Sequence, residues 1–386
     1  MRFVLRSSLQ LAAGAIALCA SALAAGPAQD PAPGQLGLPP GLGAQDTPAQ
    51  VDLGRKLFMD RRLSRNGTMS CGMCHIPEQG FAVNEVATAV GIEGRSLRRN
   101  APSVLNAGYN ESFFHDGRAR TLEEQAWGPL LSADEMGNPD SAEVVARIAA
   151  LNDYTEPFRQ AFPGQAPTAD NVAKALAAYQ RSLIAAGSRF DRWYFGGETN
   201  ALTEQEKRGF VVYRAKAQCN ACHKLGRQYA MFTDEAFHNL GVGLAQARKD
   251  VNVALAPGVG AKLPHEVVRS VSGPAQADLG RYEVTKAEHD RYAYRTPTLR
   301  NIELTAPYMH DGSMATLREV VDFYDKGGNP NPGLDQLMGP LYLSEADKDA
   351  LVAFLRTLTG PNVKQLAAAA RAAASTPAPG TTIAPR

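Results

Sequence analysis

The stretch CGMCH at residues 71–75 and the stretch CNACH at residues 219–223 decide how this chain folds. In a Cys-x-x-Cys-His pentapeptide, two thiols can bond covalently to one porphyrin while the adjoining imidazole ligates its iron. A redox pair or half of a zinc site is the alternative, but both stretches carry the histidine and too few cysteines remain for a zinc site. Two covalently bound haem c groups are therefore predicted. The residues that would hold them are Cys71, Cys74, His75, Cys219, Cys222 and His223.

The first 24 residues have the pattern of a secretory signal peptide. Arg2 and Arg6 precede an apolar run over residues 9–20, and small residues follow it. The run is too short for a membrane span. A lipid anchor through Cys19 is the alternative, which Leu18 disfavours because a lipoprotein signal has a small residue there. Haem attachment and export together predict the periplasm of a Gram-negative cell.

Length and charge set further bounds on the chain. Its 386 residues allow two domains of ordinary size. With 40 basic and 39 acidic residues the net charge is +1, which gives no reason to expect binding to nucleic acid or to a membrane surface. The content of 35 glycines and 25 prolines suits short helices joined by long loops.

Downstream of each haem motif the chain repeats itself. Pro102 and Pro297 are 195 residues apart (297 − 102), and this offset also relates His115 to His310 and Glu124 to Glu319. The haem motifs are only 148 residues apart (223 − 75). The second copy therefore carries an insertion of 47 residues (195 − 148) between its haem motif and its repeat. Any β structure is expected in this insertion, near residues 266–268.

The predicted fold is mainly α, with two tandem cytochrome-c-like haem domains related by duplication and an insertion in the second. The signal peptide spans residues 1–24, and a flexible leader follows over 25–47. We place the N-terminal haem domain at 48–195 and the C-terminal haem domain at 196–362. Residues 363–386, rich in alanine and proline, are expected to be a disordered tail.

Both copies of the repeat end in a predicted helix start. Capping boxes begin at Thr121 and at Thr316. In the second copy an apolar helical face ends on Tyr324, and in the first copy Pro129 holds the matching place. A phenol can ligate iron and a proline cannot. If this face meets a haem, one iron is capped and the other is open.

These residues resemble the bacterial dihaem cytochrome c peroxidases and their relative MauG, over about residues 54–358. The resemblance lies in the two haem motifs and in several further stretches. These are RNAP at 99–102, DGR at 116–118, LEEQ at 122–125, GPL at 128–130, EM at 135–136, FHN at 237–239, TPTLRN at 296–301 and LTAPY at 304–308.

The resemblance implies roles for particular residues. The N-terminal haem would react with hydrogen peroxide, and the C-terminal haem would relay electrons. Glu135 would move a proton between the two peroxide oxygens, while Gln125 would hold the bound oxygen. Calcium would bind between the domains, at the oxygen atoms of Asn100, Thr305 and Pro307.

The sequence departs from the peroxidases of this family at three positions. Ile92 stands where they have a histidine that caps the first haem, so this haem should be open. Tyr324 stands in place of a methionine ligand to the relay haem, which should lower its potential. His115 stands where a tryptophan usually lies between the haems, which leaves the inter-haem route open to question. The first two departures are closer to MauG.

Each candidate also has a structural interpretation. Met309, Met314 or Met338 could replace Tyr324 as a ligand, and Glu135 or Gln125 could simply be solvated. We expect His115 and His310 to bond a haem propionate or a backbone group. The remaining residues expected to be structural or packed are His238, His265, His289, Trp127 and Trp193.

The predicted function is that of a periplasmic dihaem peroxidase. A small soluble cytochrome c or a copper protein would donate the electrons, or a protein substrate would be oxidised as by MauG. A purely electron-transferring dihaem cytochrome is a further alternative, but it gives no role to an open haem or a nearby carboxylate. A haem-based sensor is disfavoured because no signalling module accompanies the haem domains.

Overall fold

The computed structural model describes residues 35–42, 46–244, 250–256, 259–264 and 278–374. The described chain is mainly helical, as predicted. Its α-helices are Pro48–Met59, Cys71–Cys74, Leu122–Leu131, Ser141–Ala149, Asn152–Ala161, Ala169–Ser182, Arg189–Tyr194, Glu204–Val211, Tyr282–Thr285, Leu317–Asp325, Glu345–Arg356 and Val363–Ala374. The predicted signal peptide lies outside the described residues. Within the described ranges, no helix is long and apolar enough to cross a membrane.

In the described ranges, four short strands form two antiparallel pairs. Strand β1, Phe237–His238, pairs with β4, Tyr294–Arg295. Strand β2, Asp250–Ala256, pairs with β3, Val259–Pro264. The second pair lies inside the segment in which the insertion was predicted. Residues 266–268, where a strand was expected, fall outside the described part of the chain.

The first hydrophobic core is built on two crossing helices, Pro48–Met59 and Ala169–Ser182. A glycine permits their close approach, because a Cβ at Gly54 would lie 1.8 Å from the carbonyl oxygen of Ala175. Leu57 and Phe58 on the next turn are buried beside this crossing. The helix Leu122–Leu131 packs against Ala169–Ser182 and contributes Gln125 and Pro129 to the cavity beside the first haem motif.

The second core repeats this arrangement. The helix Glu204–Val211 crosses the helix Glu345–Arg356, and a Cβ at Gly209 would lie 1.9 Å from the carbonyl oxygen of Ala350. Phe190 already packs in this second core, whereas Ala185 packs in the first. The change from one core to the other therefore falls between these two residues, ahead of the predicted boundary at 195.

Repeat-related residues make matching contacts. Asn106 and Asn301 both have φ of 60°. The side-chain oxygen of Asn106 accepts a hydrogen bond from the Ala185 amide at 2.8 Å, and that of Asn301 accepts one from the Gly360 amide at 2.9 Å. A duplicated domain would produce such a match, but the duplication itself stays a prediction.

The two predicted capping boxes differ in detail. At Thr316 the box is complete, with the hydroxyl accepting from the Glu319 amide and the Glu319 carboxylate accepting from the Thr316 amide. At Thr121 the hydroxyl accepts from the Glu124 amide at 3.1 Å. The Glu124 carboxylate, however, accepts from the amide of Arg120, one residue before the predicted partner.

Part of the expected flexible leader is packed. Leu38 is buried, and the carbonyl of Gly37 accepts hydrogen bonds from the Ala230 amide and from Arg300. The Arg300 guanidinium also forms a fully buried bidentate pair with Asp191, at 2.9 and 3.0 Å. The flexible-leader interpretation is therefore wrong for residues 35–38, because this buried arginine has donors to spare and a backbone carbonyl there satisfies one of them.

The expected disordered tail begins with a helix instead. Val363–Ala374 packs on the first core, and its Val363, Ala367 and Ala370 side chains are buried. Arg371 reaches Glu78 through two hydrogen bonds of 2.8 Å. The low-complexity composition misled the prediction here, since alanine is also the strongest helix former. The expectation of disorder for residues 375–386 lies outside the described residues.

Candidate functional site

The first haem motif forms a short helix, Cys71–Cys74, that ends at His75. The imidazole Nδ1 of His75 lies 3.2 Å from the carbonyl oxygen of Phe81. Burial lowers the pKa of His75, so the ring is held in the neutral form that binds iron. Because Nδ1 is used by the backbone, Nε2 is available to a metal. Cys71 and Cys74 are free thiols.

A cavity of about 750 Å³ opens beside this motif. Its volume falls within the range of roughly 300–1,000 Å³ that is usual for ligand sites. Cys74 and His75 line it on one side, and Gln125, Pro129 and Glu135 line it elsewhere. These residues fit a haem attached through the first motif, because the thiol, the imidazole and an unfilled space lie together.

The helix Leu122–Leu131 presents two of these residues. Gln125 and Pro129 are four positions apart, and side chains at that spacing share one helical face. The face therefore offers the cavity an amide and a ring without donor atoms. The sequence-based expectation that Pro129 faces the first haem agrees with this placement.

Glu135 is partly buried and belongs to a tight loop after that helix. Burial raises its pKa, while nearby Arg118 and a hydrogen bond with Ser132 act in the opposite direction. The backbone carbonyl of Glu135 accepts a hydrogen bond from the Ile92 amide at 2.9 Å. The carboxylate is thereby held near Cys71 and Cys74, whose thiol pKa values it raises further.

Ile92 does not line this cavity. Its side chain is fully buried in the first core. The preceding Gly91 packs so closely on the Glu135 loop that a Cβ there would lie 1.9 Å from the carbonyl oxygen of Asp134. The segment that carries Ile92 therefore supports Glu135.

The second haem motif is anchored in the same way as the first. The Nδ1 atom of His223 lies 2.9 Å from the carbonyl oxygen of Phe232. In addition, the Tyr213 hydroxyl donates a hydrogen bond to the backbone carbonyl of His223. Cys219 and Cys222 are free thiols beside it. This donor set again fits a covalently attached haem.

Tyr324 faces the second motif from the helix Leu317–Asp325. Burial raises the pKa of its phenol, and the nearby Cys219 and Cys222 raise it further. The first motif has Pro129 near it, and the second has a phenol. The side chains near the two motifs therefore differ, and whether one iron is capped and the other open stays a prediction.

Comparisons with known proteins agree with this geometry. Residues 48–200 match the family model described as di-haem cytochrome c peroxidase. The methylamine utilization protein MauG of Methylorubrum extorquens is 39% identical over 315 residues, which cover 81% of this chain and 78% of MauG. This chain belongs to the dihaem cytochrome c peroxidase family. It is accordingly a haem peroxidase, and its family implies two c-type haems.

Other relatives of this peroxidase fall into both branches of the family. The cytochrome-c peroxidase IdrP1 of a Pseudomonas species is 35% identical, with 92% of each chain covered. Among solved structures, a MauG-like protein associated with microbial copper homeostasis has a TM-score of 0.66 and 34% identity, covering 82% of this chain and 91% of the other. The resemblance inferred from the sequence is thus confirmed, and it leaves the two activities unresolved.

Between the two cores of the peroxidase lies a group of rings and charges. The Nε2 of His115 donates to the carbonyl of Asn100 at 3.0 Å, which confirms the backbone interpretation for this residue. His310 differs, because its Nε2 is buried without a partner among the described residues. The His310 ring stacks on Tyr294 with centroids 3.6 Å apart. Burial, together with nearby Arg99, lowers the pKa of His115 to about 4.

The predicted calcium ligands have oxygen atoms to offer. The Asn100 side-chain nitrogen donates to the Ala87 carbonyl at 2.9 Å, and its backbone amide donates to His310 at 2.7 Å. Among the described residues, nothing donates to the Asn100 side-chain oxygen or to the carbonyls of Thr305 and Pro307. These residues are compatible with a hard cation.

The remaining histidines are placed as expected where they are described. His238 lies between two carboxylates, at 2.6 Å from Asp335 and 3.1 Å from Asp234. Atoms of Cys222, Asp234 and His238 lie within 4.8 Å of one another, but the haem motif already accounts for Cys222. His289 is exposed. His265 lies outside the described residues.

Sequence reasoning missed three supporting residues. Arg118 lies near Glu135 and favours its ionised form, and Ser132 forms a hydrogen bond with Glu135. The Tyr213 hydroxyl donates to the backbone carbonyl of His223. The stretch DGR at 116–118 marked Arg118 only as part of the resemblance. Tyr213 carries no local signal, because its contact with His223 depends on how two helical segments meet.

Proposed function

We propose that this chain is a periplasmic dihaem peroxidase that reduces hydrogen peroxide at an open N-terminal haem, with electrons relayed through the C-terminal haem. The observation that carries the proposal is the unequal surroundings of the two motifs. Gln125, Pro129 and Glu135 line the cavity at His75, whereas Tyr324 lies beside Cys219 and Cys222.

The residues of the first cavity divide the work. Cys71, Cys74 and His75 hold the haem, which supplies the iron that binds peroxide and the electrons that cleave it. The Gln125 amide orients the bound peroxide by hydrogen bonding. The Glu135 carboxylate accepts the proton of the inner peroxide oxygen and returns it to the outer one, so that water can leave. The buried position of Glu135 suits this exchange, because its raised pKa brings the protonated and ionised forms closer in energy.

A MauG-like oxidation of residues on a partner protein is the second candidate. Tyr324 favours this candidate. An anionic oxygen ligand stabilises oxidised iron, whereas the thioether ligand of an electron-transfer site stabilises reduced iron. The 39% identity with MauG supports the same choice. Hydrogen peroxide is the oxidant in both candidates, and they differ in whether a small redox protein or a protein substrate supplies the electrons.

The location and the calcium site complete the proposal. Export to the periplasm rests on the N-terminal sequence and on haem attachment. Calcium would be held by the oxygen atoms of Asn100, Thr305 and Pro307. Its role would be to tie the segment around Asn100 to the segment that contains His310, which already share a hydrogen bond of 2.7 Å.

Peroxide added to the fully oxidised protein tests the proposal. We expect an immediate change in the haem optical spectrum without prior reduction, because Ile92 cannot ligate iron and Pro129 lines the cavity where the second motif has Tyr324. A long-lived change would favour the MauG-like candidate, and rapid recovery with a small redox protein would favour the peroxidase. Reactivity only after one-electron reduction, or two six-coordinate low-spin haems by electron paramagnetic resonance, would contradict the open-haem proposal.

A further inference from the structure

A run of aromatic rings leads from His223 toward the protein surface. It begins at Tyr213, whose hydroxyl donates to the backbone carbonyl of His223. The Tyr213 ring is fully buried. It lies nearly parallel to Phe210, with the centroids 6.3 Å apart and 16° between the planes. Phe210 in turn meets the indole of Trp193 edge-on, with the centroids 5.2 Å apart.

The run reaches solvent at two neighbouring residues. Trp193 and Tyr194 are both partly exposed, and their ring centroids are 5.9 Å apart. Tyr194 also contacts Phe210, at 5.5 Å. Indole and phenol give up an electron more readily than phenylalanine does. Each also carries a proton on its polar atom, which can pass to water where the ring is exposed.

The buried end of the run does not share this property. The Tyr213 hydroxyl donates to a backbone carbonyl, which cannot take up its proton, and burial raises the pKa of this phenol. Tyr213 therefore serves as a bridge between His223 and the surface. It leads there through Phe210 and also through Phe354, 5.2 Å away, which contacts Phe190 next to Trp193. The two partly exposed rings are where charge can be exchanged with a partner.

We propose that Trp193 and Tyr194 form the surface site at which electrons enter the second haem domain. The inference rests on the proposed function, since peroxide is the oxidant. In the absence of another donor, the Trp193 indole and the Tyr194 phenol each lose one electron and one proton. Hydrogen peroxide gains these two electrons and two protons and becomes two water molecules. A one-electron donor that docks on the two rings then restores each of them with an electron, and water returns the proton.

Trp127 is a matched comparison within the same chain. The protein has two tryptophans, and both are partly exposed. Trp127 lies on the helix that carries Gln125 and Pro129, although it does not itself line the cavity. A freely diffusing oxidant has no reason to prefer Trp193, because both indoles are partly exposed and Trp127 belongs to the peroxide-binding half. Preferential oxidation of Trp193 would therefore require a route through the protein.

The test treats the holoprotein with hydrogen peroxide in the absence of a donor and quantifies oxidised residues by peptide mass spectrometry. We expect oxidation of Trp193 and Tyr194 to exceed that of Trp127 several-fold. Trp127→Phe should leave oxidation of Trp193 unchanged. Equal oxidation of the two tryptophans would overturn the proposal, as would loss of Trp193 oxidation in Trp127→Phe.

A second variant changes Trp193 itself. Trp193→Phe keeps an aromatic ring at the surface and removes the indole. After rapid freezing with peroxide, the tryptophan radical signal in electron paramagnetic resonance should be lost and a tyrosine signal should remain. An unchanged tryptophan signal would contradict the assignment. Failure of the proposed function looks different, because peroxide would then persist in solution and neither tryptophan would be oxidised.

Discussion

At the scale of single residues, the chemistry of the first haem pocket depends on one carboxylate. Glu135→Gln keeps the size of the side chain and removes its ability to exchange a proton. We expect peroxide consumption to slow by about 10²- to 10⁴-fold, the usual contribution of a general acid–base group. Stopped-flow spectroscopy would measure the rate, and haem staining after denaturing electrophoresis would check that both haems remain attached. An unchanged rate would remove Glu135 from the mechanism.

The same carboxylate sets an expectation for pH. Glu135 must be ionised to accept a proton, and burial raises its pKa above the ordinary value of 4.5. As the pH falls, the rate of peroxide cleavage should therefore begin to decline at a higher pH than an exposed glutamate would give. The pH profile of the wild-type protein would show this acidic limb, which Glu135→Gln should lack. A limb that persists in the variant would assign it to another group.

Tyr324 offers a second test at this scale. Tyr324→Phe removes the phenol oxygen, so the second haem should lose its sixth ligand and become high-spin in the ferric state. Electron paramagnetic resonance and the optical spectrum would report the change. Tyr342→Phe is the control, because Tyr342 is 82% exposed. If the spectrum of Tyr324→Phe equals that of the wild type, one of the nearby methionines is the ligand instead.

The residues of the pocket were predictable to different degrees. Gln125, Pro129 and Glu135 were found from the resemblance and the repeat, and the cavity brings them together. The direction of the Ile92 side chain could not be predicted, because a local sequence cannot show that Gly91 packs on the Glu135 loop. Tyr213 was missed for a similar reason, since its partner is a backbone carbonyl ten residues away.

At the scale of elements, each core depends on a glycine where two helices cross. Gly54→Ala and Gly209→Ala would each force a Cβ into a backbone carbonyl on the facing helix. We expect each to destabilise the protein by about 1–3 kcal/mol, as overpacking does. Thermal unfolding followed by circular dichroism would measure the loss.

A glycine without such a neighbour is the control for this prediction. A Cβ at Gly339 would meet nothing within 4 Å. Gly339→Ala should therefore change the stability by no more than about 0.5 kcal/mol. If Gly54→Ala were as stable as Gly339→Ala, the two helices would have room to move apart, and the crossing would not depend on the glycine.

Helices were predicted best where a capping motif in the sequence marks the first turn. The complete capping box at Thr316 marks the start of the helix Leu317–Asp325. The helix Val363–Ala374 was missed because its alanine-rich sequence has few large apolar residues, and its buried face relies on Val363, Ala367 and Ala370 fitting against the first core. Composition alone does not show whether such a surface exists for it.

At the scale of the whole molecule, calcium should join the two haem domains. Its proposed ligands belong to both repeats, with Asn100 in the first and Thr305 and Pro307 in the second. Calcium at about 100-fold above its dissociation constant would stabilise the folded protein by about 2.7 kcal/mol. Thermal unfolding should therefore shift upward with added calcium and downward with a chelator. Asn100→Ala should respond much less, and an equal response of both proteins would place the cation elsewhere.

The whole-molecule organisation could be predicted only in part. The constant offset of 195 residues indicated two similar halves, and the described chain has two large hydrophobic cores beside a third small cluster. The offset could not show that a segment from the N-terminal end packs on the second core and a segment from the C-terminal end packs on the first. Residues 35–38 reach Arg300 and Asp191 of the second core, while the helix Val363–Ala374 covers the first. Such contacts depend on the path of the chain after each domain ends.

The helix Val363–Ala374 also bears on the order in which this protein can mature. It packs against Pro77–Gln79, the turn that follows the first haem motif, yet it is made after every other described element. The first core therefore takes part of its covering from the last helix of the described chain. If the chain is exported N-terminus first, as proposed, the segment with Cys71 and Cys74 would reach the site of haem attachment before this helix does.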